Sequence, residues 1–145
     1  MPLRIAAVDD NPMDLAWLKR LAFQQMPTAV TFDGFAEIEH TLEVVARGDI
    51  SLLLLDDHLG HGDALTNLKL VQDLGTDTQV VVVTGELPPG RRERLLKLGA
   101  MEVLSKDDLT AAIFADLIAM ALAKSSVFRR APTTRRPMPE AIDLL

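Results

Sequence analysis

The chain has 145 residues, no cysteine and a formal net charge of −6 at pH 7. The lack of cysteine excludes disulfides, thiolate zinc sites and cysteine nucleophiles, and apolar runs far shorter than ~20 residues argue against membrane insertion. Because no N-terminal segment resembles a secretion signal and the acidic balance disfavours nucleic-acid binding, we expect a cytoplasmic domain with one hydrophobic core.

Short apolar runs alternate with helix-like segments along the chain, which is typical of a parallel sheet built from βαβ units. Asn11 and Pro12 are typical of a helix start, and Asp33-Gly34 of a turn after the second strand. The predicted strands lie at residues 4–8, 28–32, 52–55, 79–83 and 101–104. The predicted helices lie at residues 12–26, 36–46, 64–74, 91–98 and 109–124. This alternation predicts a three-layer α/β sandwich, with right-handed crossovers placing helices on both faces of the sheet.

The composition changes after Lys124. The remaining segment is rich in arginine and contains three prolines, which preclude one continuous helix. We therefore expect a domain over residues 1–124 and a basic, flexible tail over residues 125–145.

Polar side chains follow the predicted strands at the points where the strands end. These residues are Asp9, Asp10, Asp56, Thr84 and Lys106. The carboxyl ends of parallel strands meet at one edge of a sheet, where ligands of α/β folds bind. Three carboxylates packed together repel one another, and a divalent cation such as Mg²⁺, which prefers oxygen ligands, would relieve that repulsion.

The motifs that carry these residues resemble those of a known family. In chain order they are Val8-Asp9-Asp10-Asn11, Leu55-Asp56-Asp57-His58-Leu59-Gly60, Val83-Thr84-Gly85, Gly99-Ala100 and Lys106. Over roughly residues 3–124 the chain is similar to the receiver domain of two-component response regulators. The resemblance implies a flavodoxin-like, five-stranded parallel sheet in the order 2-1-3-4-5, with five helices.

The resemblance also implies a role for each site residue. Asp56 is the expected phospho-acceptor; Asp57 is the competing candidate, but the family's apolar residue three positions after the acceptor is matched by Leu59. Thr84 and Lys106 are expected to contact the phosphoryl group. The expected Mg²⁺ ligands are Asp9, Asp10, Asp56 and the backbone carbonyl of His58.

The implied function is that of a stand-alone response regulator. It would take a phosphoryl group from a sensor histidine kinase or phosphotransfer protein and signal to a downstream protein by contact. We expect no enzymatic activity, and a homodimer is possible. The sequence departs from the family at Val103, where an aromatic residue is usual, and at Asp107, where proline is usual. We therefore expect intact phosphorylation chemistry beside an unusual output surface.

Other interpretations stay open. The chain could be a pseudo-receiver, a scaffold that is not phosphorylated. Its arginines could bind an anion or pair with acidic neighbours; they are Arg91, Arg92 and Arg94, with Arg129, Arg130, Arg135 and Arg136 in the tail. A metal site at His58, His61 and Asp63 matches no zinc spacing. An aspartyl-nucleophile hydrolase would carry a second aspartate at position 58, where the chain has histidine.

Overall fold

Strands and helices alternate along the whole domain. In the computed structural model, residues 3–25, 30–59 and 62–130 are described. The strands are β1 (Leu3–Val8), β2 (Val30–Phe35), β3 (Leu52–Leu55), β4 (Gln79–Thr84) and β5 (Glu102–Ser105). The helices are α1 (Pro12–Gln25), α2 (Ile38–Val45), α3 (Ala64–Asp73), α4 (Arg91–Leu98) and α5 (Ala111–Arg130), with a 3₁₀ turn at Lys106–Asp108. All strands pair in parallel in the order β2-β1-β3-β4-β5, which confirms the predicted fold.

Both faces of the sheet are buried, because alternate residues of each central strand enter two separate hydrophobic clusters. On one face, Ile5, Leu54 and Val81 pack in the cluster that α1 and α5 complete. On the other face, Leu53 and Val82 pack in the cluster that α2, α3 and α4 complete. A strand buried on both faces needs apolar side chains at every position. This requirement explains the uninterrupted leucine and valine runs of β3 and β4.

The second strand differs from its prediction, which ended the strand at residue 32 and placed a turn at Asp33-Gly34. β2 instead continues to Phe35, with Asp33 and Gly34 paired to β1. An edge strand tolerates polar residues and glycine better than a central strand does. A Cβ at Gly34 would lie 3.4 Å from the Leu15 side chain of α1, so glycine allows close helix packing. The longer strand brings the Phe35 carbonyl to Asp9, whose backbone N–H donates to it at 2.9 Å.

The last helix extends beyond its predicted end at Lys124. α5 runs from Ala111 to Arg130, and the sequence contains no proline or glycine between these residues to stop it. Residues 131–145 lie outside the described part of the chain, so the domain boundary and the flexible tail stay predictions. Neither α5 nor any other described helix is both long and apolar enough to span a membrane.

Candidate functional site

Three carboxylates meet at the carboxyl ends of β1 and β3. The backbone N–H of Asp56 donates to the carbonyl of Val8 at 3.1 Å, so the pairing of the two strands continues into the residues that follow them. One carboxylate oxygen from each of Asp9, Asp10 and Asp56 lies within 4.8 Å of the others. Asp9 and Asp56 are buried, whereas Asp10 faces solvent. The strand-end pattern in the sequence thus brings these residues to one place.

The carboxylate of Asp56 is buried and incompletely paired. Its Oδ1 atom has no hydrogen-bond partner, and its Oδ2 atom lies 3.9 Å from Nζ of Lys106. Burial and the charge of Asp9 raise the pKa of Asp56 to about 6, although Lys106 and the backbone N–H groups of His58 and Asp57 act to lower it. An unpaired buried oxygen beside two further carboxylates suits a hard cation such as Mg²⁺, which keeps ligand positions for phosphate oxygens.

Lys106 lies opposite this cluster, at the start of the 3₁₀ turn after β5. Its Nζ donates to Asp9 Oδ2 and to Asp14 Oδ2, each at 2.7 Å. Burial acts to lower the pKa of Lys106, but the hydrogen bonds to Asp14 and Asp9 and the charges of Asp56 and Asp9 outweigh it and raise the pKa. Sequence reasoning missed Asp14. The available signal was its position in the first turn of α1, four residues after Asp10.

Thr84 is fully buried at the end of β4, the strand next to β3. Its hydroxyl donates to the backbone carbonyl of Glu86 at 3.1 Å. This hydrogen bond fixes the start of the loop between β4 and α4. Thr84 therefore lies at the same sheet edge as Asp56, with its hydroxyl engaged by its own loop.

Asp57 contacts different elements from its neighbour Asp56. Its carboxylate accepts the N–H of Ala64, the first residue of α3, at 2.8 Å, and it accepts Nε and Nη2 of Arg91 at 2.9 and 2.6 Å. Burial acts to raise the pKa of Asp57, but the hydrogen bonds from Arg91 and Ala64 and the charges of Arg91 and His58 lower it overall. The side chain is committed to this ion pair, away from the acidic cluster.

The other candidate groups have local partners. Asp63 caps α3 by accepting the N–H of Thr66 at 3.1 Å, and its second oxygen lies 3.2 Å from Arg91. Within the described ranges, Asp9, Asp10 and Asp56 form the only group of three acidic or histidine side chains close enough to share a metal ion; His61 falls outside these ranges. Arg92 donates to Glu102 at 2.6 Å, so local pairing accounts for Arg91 and Arg92. The side chains of the tail arginines lie outside the described residues.

Comparison with known families and structures gives consistent results. The family profile of the response regulator receiver domain matches residues 5–117. A signal receiver domain from Vibrio parahaemolyticus has a TM-score of 0.78 at 17% identity, covering 92% of this chain and 99% of that one. A response regulator receiver domain from Clostridium thermocellum has a TM-score of 0.78 at 18% identity, covering 87% and 98%. The beryllofluoride-activated NtrC4 receiver domain dimer has a TM-score of 0.72 at 20% identity, covering 81% and 94%. The comparison with curated proteins found no match.

Proposed function

The chain belongs to the response regulator receiver domain family, and from that premise we propose that it accepts a phosphoryl group on Asp56 with Mg²⁺ as its cofactor. Aspartyl phosphorylation and magnesium binding are general properties of this family. Receiver domains interact with histidine kinases or phosphotransfer proteins, and we propose one of these as the donor. We also propose a cytoplasmic location.

The observation that carries this proposal is the unpaired, buried Oδ1 atom of Asp56 beside two other carboxylates. Asp9, Asp10, Asp56 and the backbone carbonyl of His58 would hold the metal ion. When bound, Mg²⁺ would neutralise charge on the carboxylates and on the phosphoryl oxygens. The raised pKa of Asp56, about 6, still leaves the carboxylate mostly ionised at neutral pH.

The carboxylate of Asp56 would act directly as the nucleophile. It needs no general base, because it already carries its charge. An oxygen of Asp56 would form a bond to phosphorus while the P–N bond of the donor phosphohistidine breaks, and the imidazole would leave with that electron pair. Transfer of this kind depends chiefly on in-line positioning and on charge neutralisation.

Lys106 and Thr84 would each exchange a present partner for a phosphoryl oxygen. Lys106 would leave Asp14 and move towards the phosphoryl group. Its Nζ atom now lies 3.9 Å from Oδ2 of Asp56. Thr84 would leave the Glu86 carbonyl, so that the loop between β4 and α4 repacks. A local electrostatic change of this kind can bias a two-state surface, which would signal to a downstream protein by contact.

The proposal is tested by incubating the protein with Mg²⁺ and a small-molecule phosphodonor and measuring its intact mass. The wild type should gain one phosphoryl group, and EDTA should prevent the gain. Asp56→Asn should show no gain, whereas the matched variant Asp57→Asn should still be modified at saturating Mg²⁺. Absence of the adduct in a folded wild type would favour the alternative, a scaffold that is not phosphorylated.

Homodimerisation belongs to the same proposal. One structural neighbour is a dimer in its beryllofluoride-activated form, and exposed apolar side chains of α5, such as Ile113 and Met120, offer a surface for self-association here. Sedimentation velocity with and without beryllofluoride should show a rise in molecular mass on activation. An unchanged monomer in both conditions would contradict dimerisation and leave phosphorylation unaffected.

A further inference from the structure

We propose that Asp57 and Arg91 are positioning residues that hold the loop between β3 and α3 in the geometry that the metal site needs. The inference rests on the proposed function, because the loop contains two of the proposed Mg²⁺ ligands, the Asp56 side chain and the His58 carbonyl. Neither Asp57 nor Arg91 would contact the metal ion or the phosphoryl group. Their contribution would be to fix the backbone that carries those ligands.

The contacts of Asp57 close the loop at both of its ends. Asp57 is the second residue after β3, and its carboxylate accepts the backbone N–H of Ala64, the first residue of α3, at 2.8 Å. His58 lies inside the loop that this hydrogen bond closes. Arg91, the first residue of α4, adds two hydrogen bonds to the same carboxylate, at 2.9 and 2.6 Å. The loop is therefore tied to α3 and α4 through one side chain.

The geometry of the Arg91–Asp57 ion pair indicates that the pair orients the Asp57 carboxylate more than it stabilises the fold. The side chains of Arg91 and Asp57 are only 16% and 3% exposed. Desolvation offsets much of the attraction within a buried ion pair. Apolar residues of similar volume often stabilise a fold as much as such a pair does. A forked guanidinium–carboxylate pair adds direction, because two parallel hydrogen bonds fix the plane of the carboxylate. Asp63 reinforces that direction, with its oxygen 3.2 Å from Arg91 Nη2.

Positioning and plain electrostatics predict different signs for Mg²⁺ affinity. If only charge mattered, Arg91→Gln would remove a positive charge and tighten Mg²⁺ binding, whereas Asp57→Asn would remove a negative charge and weaken it. If the pair positions the loop, both substitutions should weaken binding. Partners that orient metal ligands typically contribute about tenfold or more in affinity, so we expect each variant to raise the Mg²⁺ Kd about tenfold.

The test is a calorimetric Mg²⁺ titration of the full chain, combined with hydrogen exchange at the Ala64 amide. Arg94→Gln is the matched control, because Arg94 lies on the same helix and pairs with no acidic side chain in the described part of the chain. Arg91→Gln and Asp57→Asn should weaken Mg²⁺ binding and lower Ala64 protection. Arg94→Gln should leave Ala64 protection unchanged and should not weaken Mg²⁺ binding.

Arg91→Lys keeps the inference testable if Arg91→Gln does not fold. Lysine retains the charge but cannot form the forked pair, so positioning predicts an intermediate Kd, whereas a charge effect predicts the wild-type Kd. Lower Ala64 protection with an unchanged Kd, or tighter binding in Arg91→Gln, would overturn the inference. If the wild type binds Mg²⁺ and gains a phosphoryl group, and the variants bind Mg²⁺ equally well, only the positioning role is refuted. A wild type that does neither refutes the proposed function and this inference together.

Discussion

At the scale of single residues, the adjacent carboxylates of Asp56 and Asp57 should affect stability with opposite dependence on pH. Burial and the charge of Asp9 raise the folded-state pKa of Asp56 from 3.8 to about 6. The folded state then binds this proton more tightly than the unfolded state, so the folded state loses stability as pH rises from about 4 to about 6. The full shift corresponds to about 3 kcal/mol.

We therefore predict that Asp56→Asn is more stable than the wild type above pH 6, by up to about 3 kcal/mol. The difference should shrink towards pH 4 and vanish below it, because the folded wild type is then protonated at this position and the unfolded state becomes protonated as pH falls through 3.8. Urea unfolding in magnesium-free buffer across this range measures the effect. A difference that does not change with pH would contradict the account of Asp56.

Asp57 should show the reverse dependence. Its hydrogen bonds to Arg91 and Ala64 outweigh the effect of burial, so its folded-state pKa lies below the ordinary 3.8. A lowered pKa contributes stability that is present above pH 4 and is lost as pH falls through the folded-state value. Asp57→Asn should thus be less stable than the wild type at neutral pH, by about 3 kcal/mol, and should approach it in acid. Extending the urea series to pH values well below 3.8 measures this effect. A destabilisation of Asp57→Asn that persists once the wild-type carboxyl is protonated would contradict the account of Asp57.

At the scale of the elements, α4 is anchored to α3 at its end as well as at its start. The Gln72 amide of α3 donates to the carbonyl of Leu98 at 2.6 Å. The next residue, Gly99, ends α4 with a φ of +118°, and an added Cβ there would collide with the Gln72 amide. The backbone therefore requires glycine here, and a side chain would also displace the Gln72 amide from its hydrogen bond to Leu98.

We predict that Gly99→Ala lowers the free energy of unfolding by about 2 kcal/mol or more, since it combines an unfavourable φ with the loss of the hydrogen bond from Gln72 to Leu98. Gly75→Ala is the matched control, because Gly75 also has a positive φ, of 73°, but an added Cβ meets nothing within 4 Å. Its substitution should cost only about 1 kcal/mol, which is the lower end of the usual cost of an L-residue in the left-handed region. Chemical denaturation of both variants measures the difference, and equal destabilisation would show that the Gln72 contact is unimportant.

The accuracy of the sequence predictions varied with the physical origin of each element. β3 and β4 were predictable because burial on both faces demands uninterrupted apolar runs. β2 was misjudged because an edge strand carries polar residues, so Asp33-Gly34 was interpreted as a turn. The acidic cluster was predictable, since parallel strand ends must meet. The Lys106–Asp14 and Arg91–Asp57 pairs depend on how helices approach the sheet, which sequence spacing alone does not specify.

At the scale of the whole molecule, α5 closes the domain by burying Phe114 against the sheet. Phe114 is fully buried, whereas its neighbour Ile113 is 38% exposed. We predict that Phe114→Ala destabilises the protein by about 3 to 5 kcal/mol, through lost burial and the cavity left behind. Ile113→Ala, the control, should cost less than about 1 kcal/mol. Thermal or urea unfolding measures both, and similar effects of the two variants would contradict this packing.

The central claim concerns which of the clustered carboxylates carries the phosphoryl group, and one measurement tests it directly. After treatment with Mg²⁺ and a small phosphodonor, borohydride reduction converts an aspartyl phosphate into homoserine, which tandem mass spectrometry locates in the chain. We predict homoserine at position 56. Homoserine at position 9, 10 or 57, with Asp56 unmodified, would contradict the account.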